Sequence, residues 1–388
     1  MHMNKSNNNS HKDFLYSQRS EGSFGFLKWI LKAELIILSI IFIMIILYRL
    51  IPYKVIFEAK YTINKKFISS SYNAKFDSNI IKESVNNNNS LSQEEKNYIN
   101  LYLIDEIEEN ISYIDINSIN TRLRKLKTVY NQKYNNGIVG KYNSLFNQIS
   151  FYKPREEADK TFSKVNKTRL SFNNCNKEAY FHELNHMLSK NSLNTIYSKS
   201  IFLESINELF TREYYYAQNV NKEKYRNGYD DYIVLAYSMS ELLPEDVIRK
   251  YKFDNNESIL IESILEIDNN IGEAYNLIIS ANNIIDNQND RKSYLDYINS
   301  YKYFYKEKYG KDMSDDLNIL FYFYNSPFQT NEERKIVRDY LNLKNDDEII
   351  NVIPKGYYSK KYKENNQKTK VEFLKDGQKK SIEIDNKL

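Results

Sequence analysis

A run of fourteen residues, Leu35 to Tyr48, carries no charge, with Lys28, Trp29 and Lys32 before it and Arg49 after it. A segment this apolar on every face has two stable environments, lipid or the centre of a large core, and the second is rare at a chain terminus. Fourteen helical residues rise only about 21 Å against a hydrocarbon layer of about 30 Å. The sequence therefore predicts a transmembrane helix over residues 30–51, with Lys32 and Arg49 reaching the interfaces along their aliphatic stems and Glu34 near one of them. The long polar segment ahead of the run, and the lack of a small-x-small site in Ile51-Pro52-Tyr53-Lys54, disfavour a cleaved export signal. Charge does not set the orientation, since Arg19, Lys28 and Lys32 balance Arg49, Lys54 and Lys60. A lone N-terminal anchor ahead of a large domain usually tethers an exported domain. The expectation is a single-pass protein of the cell membrane, held in the bilayer through residues 30–51 with its bulk extracytoplasmic.

Composition narrows the remaining chain. Only 9 Gly and 5 Pro occur in 388 residues, which disfavours turn-rich all-β folds and Pro-rich or collagen-like chains. The 55 Lys+Arg against 51 Asp+Glu leave a formal charge of +4, too small to imply a nucleic-acid partner. A single cysteine, Cys175, excludes an intramolecular disulfide and any multi-cysteine metal site. The fold class expected is α+β, mainly helical, with a small β-hairpin sheet and the N-terminal transmembrane helix. Its parts are a polar tail (1–29), the span (30–51), a stalk or linker (52–89), a main domain (90–340) and a C-terminal extension (341–388).

Within these parts, Val55 to Phe67 reads as a short strand and Asn86 to Asn89 as linker. Ser92-Gln-Glu-Glu95 is a capping box opening a helix that reaches towards Ser112, and Arg122 to Tyr130 reads as a second helix. Lys141 to Tyr152, after Gly137-Ile-Val-Gly140, alternates as a β-hairpin, and Thr168 to Phe172 is a candidate strand. Helical periodicity then continues to Tyr340, with breaks at Gly228, Pro244, Gly272 and Gly310. Thr369 to Leu374 and Lys380 to Ile384, joined through Asp376-Gly377, predict a terminal hairpin.

The chemistry is concentrated in Glu178-Ala-Tyr-Phe-His-Glu-Leu-Asn-His-Met-Leu, which contains the HExxH motif His182-Glu183-Leu184-Asn185-His186. Residues four apart on a helix share a face, so both imidazoles can close on one Zn²⁺, with Glu183 one step round beside a water on the same ion. Zinc lowers the pKa of such a water towards ~7, and an adjacent carboxylate can take its proton as a general base. Chance supplies roughly 0.003 such motifs in a chain with so few histidines. His2 and His11 precede the apolar run, so a third protein ligand must come from another residue type.

Ile201 to Glu213 reads as a second amphipathic helix with Glu204, Asn207, Glu208 and Thr211 on its polar stripe. Eighteen residues after His186, Glu204 follows a helix end, a loop and the start of a returning helix, which brings its carboxylate back towards the metal. Glu208, one turn on, can accept a ring N–H of a ligand histidine. One turn of separation means that only one of the two acids reaches the ion directly.

His182-Glu-Leu-Asn-His186 followed by Glu204-Ser-Ile-Asn-Glu208 resembles the gluzincin group of zinc metallopeptidases, the thermolysin-like zincins. The similarity covers about thirty residues strictly and Gly137 to Leu265 loosely. It implies a zincin-like domain over 90–340, Zn²⁺ held by His182, His186 and Glu204, Glu208 behind His182, Glu183 as general base, and a peptide or protein substrate. It also implies that the strand Asn147 to Tyr152 is the sheet edge that holds an extended substrate. The chain departs from the pattern in lacking the histidine that stabilises the oxyanion. Tyr229 is the expected replacement among Tyr214, Tyr215, Tyr225 and Tyr232. The alternative is a non-catalytic, zincin-like, membrane-tethered binding or scaffold module, against which an intact Glu183 argues. An intramembrane protease is disfavoured because Asn185 and Lys190 do not suit lipid. A helical interaction protein would show sustained heptads, which are not found.

Overall fold

The computed structural model describes residues 28–46, 51–68, 72, 75–135, 138–153, 169–190, 201–218, 230–286, 291–313, 335, 338–339, 341–344 and 348–384. The chain divides into two compact units, Met1–Phe57 and Glu58–Leu388. In the first, α1 (Lys28–Ile46) is a 19-residue helix long and apolar enough to cross a membrane. It starts two residues before the expected span, and residues 47–50 at the expected far end lie outside the described residues.

The segment expected as a strand at Val55 to Phe67 is instead helical: α2 (Tyr53–Asn64) runs into a single 3₁₀ turn at Lys65–Phe67. Its alternation is imperfect, and Glu58, Ala59 and Lys60 are good helix formers, so the 3.6-residue period wins. Nor is 78–89 a linker. Asp77 caps α3 (Ser78–Asn86) by accepting from Asn79 N, and α3 packs on α4 (Gln93–Glu109) and α5 (Ile116–Lys125) through Ile81 and Val85. The capping box is formed as expected, Ser92 and Glu95 each accepting the other's backbone N–H.

Where a helix was expected to run to Tyr130, α5 ends at Lys125 and β1 (Lys127–Asn131) begins. The buried Asn88 side chain donates to Leu123 O at 2.7 Å and Leu126 O at 2.8 Å, closing the helix end with groups from outside it. The expected hairpin is present as β2 (Gly140–Asn143) and β3 (Gln148–Tyr152). The strand order is β1-β3-β2, with β1 parallel and β2 antiparallel to β3. The expected substrate-holding edge, Asn147 to Tyr152, is therefore the middle strand, and β1 and β2 are the edges. Thr168 lies outside the described residues, and the rest of that expected strand is a short extended stretch leading into a 3₁₀ turn (Phe172–Asn174). Gln132 satisfies Leu170 through both its N–H and its C=O, so no ladder is needed there.

The remaining helices are α6 (Lys177–Leu188), α7 (Ile201–Gln218), α8 (Asp230–Leu242), α9 (Glu245–Asp254), α10 (Ser258–Ile267), α11 (Ile271–Asp286) and α12 (Arg291–Tyr309). Pro244 and Gly310 mark helix ends as expected, whereas Gly272 lies inside the first turn of α11, which Asn270 caps by accepting from Gly272 N and Glu273 N. The second sheet is an antiparallel meander of β4 (Glu348–Ile353), β5 (Thr369–Lys375) and β6 (Gln378–Ile384). Its expected Asp376-Gly377 turn has both residues at positive φ, 53° and 75°. The region read as an extension is tied into the domain. Glu213 of α7 accepts from Tyr357 N at 2.7 Å, Tyr358 N at 2.6 Å and Ser359 N at 2.9 Å, ahead of the short α13 (Lys360–Asn365). Tyr358 stacks on Phe210 with ring centroids 4.6 Å apart. The architecture is mainly helical with two small sheets.

An aromatic cluster fixes α6 against the first sheet. Tyr180 stacks on Phe151, which stacks on Tyr130, and Tyr98 and Phe172 meet Tyr180 edge-on. Tyr130 donates to Glu95 at 2.7 Å, so the acid of the α4 capping box also anchors β1.

Candidate metal centre

The HExxH segment lies wholly on α6, whose first turn is capped by Asn176 accepting from Ala179 N at 3.0 Å. Pairing along α6 and α7 runs in opposite senses. Glu178 meets Tyr216 near one end, and His186 meets Glu204 and Asn207 near the other, so the helices are antiparallel. The return expected from the 18-residue spacing is thus formed.

His182, His186 and Glu204 bring their donor atoms within 4.8 Å of one another. His182 Nε2 lies 3.0 Å from His186 Nε2 and 3.0 Å from Glu204 Oε1, and His186 Nε2 lies 3.0 Å from Glu204 Oε2. Zinc bonds of about 2.0–2.1 Å set tetrahedral donors roughly 3.3 Å apart, so two imidazole nitrogens and a carboxylate at this spacing suit a zinc ion. His182 is 1% exposed, whereas His186 and Glu204 are 20% and 28% exposed, which opens the group to solvent on their side.

The groups behind the donors orient them. Glu208 Oε2 lies 3.0 Å from His182 Nδ1, a charge contact that favours a proton on Nδ1 and so the Nε2 lone pair facing the cluster. Arg212 Nε in turn donates to Glu208 Oε1 at 3.0 Å, and this acid and this base are both fully buried. The Asn207 amide lies 2.7 Å from His186 Nδ1. Its Oδ1 has no hydrogen-bond partner among the described residues, and a half-turn of the amide brings that oxygen to accept from Nδ1–H. His186 then presents its Nε2 lone pair as His182 does.

Electrostatics favour a cation at this point. Burial pulls the His182 imidazolium down, but the carboxylates of Glu204 and Glu208 outweigh it and hold the ring up to about 10. Burial pushes the Glu204 carboxyl up, and His186 and His182 outweigh that and hold it well below the usual carboxylate range. Lone-pair donors packed this closely need positive charge between them, either a shared proton or a metal ion.

Glu183, 6% exposed, turns to the sheet. Its Oε2 accepts from Tyr142 N of β2 at 2.6 Å. A Cβ on Gly140 would lie 3.1 Å from Glu183 Cγ and 3.2 Å from Oε1, so a glycine lets the strand lie against the acid. In the β2–β3 register, the Tyr142 N–H that reaches Glu183 points away from β3. The backbone groups of Gly140 and Tyr142 therefore line the outer edge, beside the acid.

Tyr229 and Tyr225 lie outside the described residues. Tyr214 is buried and donates to Glu109 at 2.8 Å, and Tyr215 packs against Tyr102 and Phe181; neither contact is to the donor cluster. Sequence reasoning placed Asn207 on the polar stripe without a role and passed over Arg212 and the Tyr142 N–H. Arg212 had a local signal, standing four residues after Glu208 on one helix face. Comparison with protein-family models, curated proteins and solved structures gave no match, so the reading of this site rests on its own geometry.

Proposed function

We propose that this chain is a membrane-anchored zinc metallopeptidase. The observation that carries the reading is the convergence of His182, His186 and Glu204, with Glu183 next to His182 on the same helix and held against β2. Zinc supplies Lewis-acid polarisation of the scissile carbonyl and lowers the pKa of water to about 7. His182, His186 and Glu204 hold the ion, and Glu208 and Asn207 orient the two rings. Glu183 takes the proton from the attacking water and delivers it to the leaving amine. On the outer edge of β2 the Tyr142 N–H is held by Glu183, and the neighbouring backbone groups of Gly140 and the Tyr142 C=O would pair with an extended peptide backbone beside that acid.

The test is metal analysis of the purified chain together with a peptide-library digest. One zinc per chain and hydrolysis are expected. Glu183→Gln should lower kcat by about 10²–10⁴-fold while zinc stays bound, because the carboxylate moves a proton and is not a ligand. Retention of most of the wild-type kcat would sink the general-base role, and stoichiometric zinc without hydrolysis would turn the reading to a binding or scaffold module. The reading also sets the domain outside the membrane. Protease added to intact cells should digest it, and protection until lysis would place it in the cytoplasm.

A further inference from the structure

The β2–β3 turn presents Leu145 and Phe146 to solvent at 83% and 66% exposure. Nothing in the turn's conformation asks for apolar side chains there. Asn143 Oδ1 accepts from Leu145 N at 3.1 Å and Phe146 N at 3.3 Å, and the positive φ of 48° falls on Asn147. The tip is also fixed in place. Asn147 Nδ2 donates to Arg122 O at 2.7 Å and Asn147 O accepts from Lys127 N at 3.1 Å, which ties the tip to the α5–β1 junction. That junction carries Arg124, Lys125 and Lys127, all exposed.

Between the two lies a pocket of about 560 Å³ lined by the Asn87–Ser90 turn, the three basic residues and the tip, with no carboxylate among its lining residues. The α5 carbonyls of Leu123 and Leu126 that end near it are taken up by Asn88, so the negative end of that helix is partly offset. A cationic, amide-lined pocket with a rigid apolar pair at its rim matches a phosphodiester headgroup with acyl chains beside it.

We infer that the β2–β3 tip is a second lipid contact: Leu145 and Phe146 enter the surface of an anionic bilayer while Arg124, Lys125 and Lys127 hold its headgroups. The contact is independent of zinc and of hydrolysis. Docking the tip holds the end of the hairpin whose edge strand touches Glu183.

The experiment uses the full chain, purified in detergent and mixed with vesicles of phosphatidylcholine, with or without phosphatidylserine. In a Cys175→Ser background, Phe146→Cys carries a polarity-sensitive fluorophore. Blue-shifted emission and quenching by spin-labelled lipid are expected in phosphatidylserine vesicles. Arg124→Gln, Lys125→Gln and Lys127→Gln should each weaken the docking equilibrium roughly fivefold, an effect that shrinks at high salt. These positions are exposed, and a thermal melt checks that each variant is folded. Emission that is identical in the two vesicle types and unquenched overturns the proposal. So does emission that shifts only when a peptide substrate is added, which would make the tip a substrate contact. Flotation with phosphatidylcholine vesicles reads the α1 anchor separately, so failure of the anchor is distinguishable from failure of the tip.

Discussion

Two antiparallel helix pairs in this molecule, α6–α7 and α11–α12, solve the same packing problem with different residues. The buried positions described on α11 and α12 carry no charged group and, apart from the amide of Asn282, are small, apolar or phenolic, among them Ala274, Ser280, Ala281, Ser293, Tyr297, Ser300 and Tyr301. Those of α6 and α7 include His182, Asn185, Asn207, Glu208, Thr211, Arg212 and Glu213, each no more than 1% exposed. Desolvating each ion costs several kcal/mol, which partners must offset. The α11–α12 pair shows that the helix hairpin itself demands no such groups. What the charges of α6–α7 supply is orientation, since Arg212 holds Glu208, Glu208 holds His182, and Glu213 gathers three backbone N–H groups of the C-terminal segment.

The contrast is sharpest between the two acids of α7. Glu204→Ala removes a donor that is 28% exposed, so zinc should be lost, and the metal-free chain should lose only the contacts of Glu204 with His182 and His186, a smaller fall in Tm than for Glu208→Ala. Glu208→Ala should weaken zinc by only about 10–100-fold. It should nonetheless lower stability by about 3–5 kcal/mol, because the buried Arg212 loses that carboxylate. Chelator titration and thermal melts on the same samples separate the two effects. If the Glu208 variant loses zinc outright and the Glu204 variant keeps it, the roles are reversed.

A second test acts through pH. Burial pushes the Glu213 carboxyl up from 4.5 to about 7, with the N–H groups of Tyr358, Ser359 and Tyr357 opposing the rise. The folded chain therefore holds this proton more tightly than the unfolded one. The resulting stability is full below about pH 4.5 and is lost as pH rises through about 7, a change of about 3 kcal/mol. Glu213→Gln should flatten that part of the Tm-versus-pH curve, and an unchanged slope would show that another group produces it.

The smallest effect belongs to α11–α12. Ser300 Oγ donates to Glu273 Oε2 at 3.2 Å, and Glu273 is half-buried and still meets water. Ser300→Ala should cost about 1 kcal/mol or less in a denaturant melt. A loss as large as that of Glu208→Ala would mean that both helix pairs depend on polar contacts, and the distinction would fail.

Legibility in the sequence followed the range of each interaction. The Ser92–Glu95 capping box, the Asp376-Gly377 turn, the β2–β3 hairpin and the His182–His186 face each close within a few residues, and each was readable. Errors arose where a distant group overrode local preference. Asn88 ended α5 from outside it, Gln132 occupied the place of a ladder beside Leu170, and parallel pairing with β3 drew Lys127 to Asn131 out of helix. The same limit applied within the site: His182, His186 and Glu204 were predicted, whereas the Tyr142 N–H on Glu183 arrives from 41 residues away.

The sequence by itself determined that α1 is uncharged from Leu35 onward and that two imidazoles and a carboxylic acid share one turn of one helix. Both follow from side chains on a regular 3.6-residue spiral, which needs no partner to define it. Only the tertiary structure decided that β3 is the middle strand with β2 at an edge against Glu183, that Arg212 backs Glu208, and that residues 357–359 close on Glu213. Those choices depend on closing loops over tens of residues. Their outcome is set by which buried donors and acceptors find partners across the core, and no local window of sequence contains both halves of such a pair.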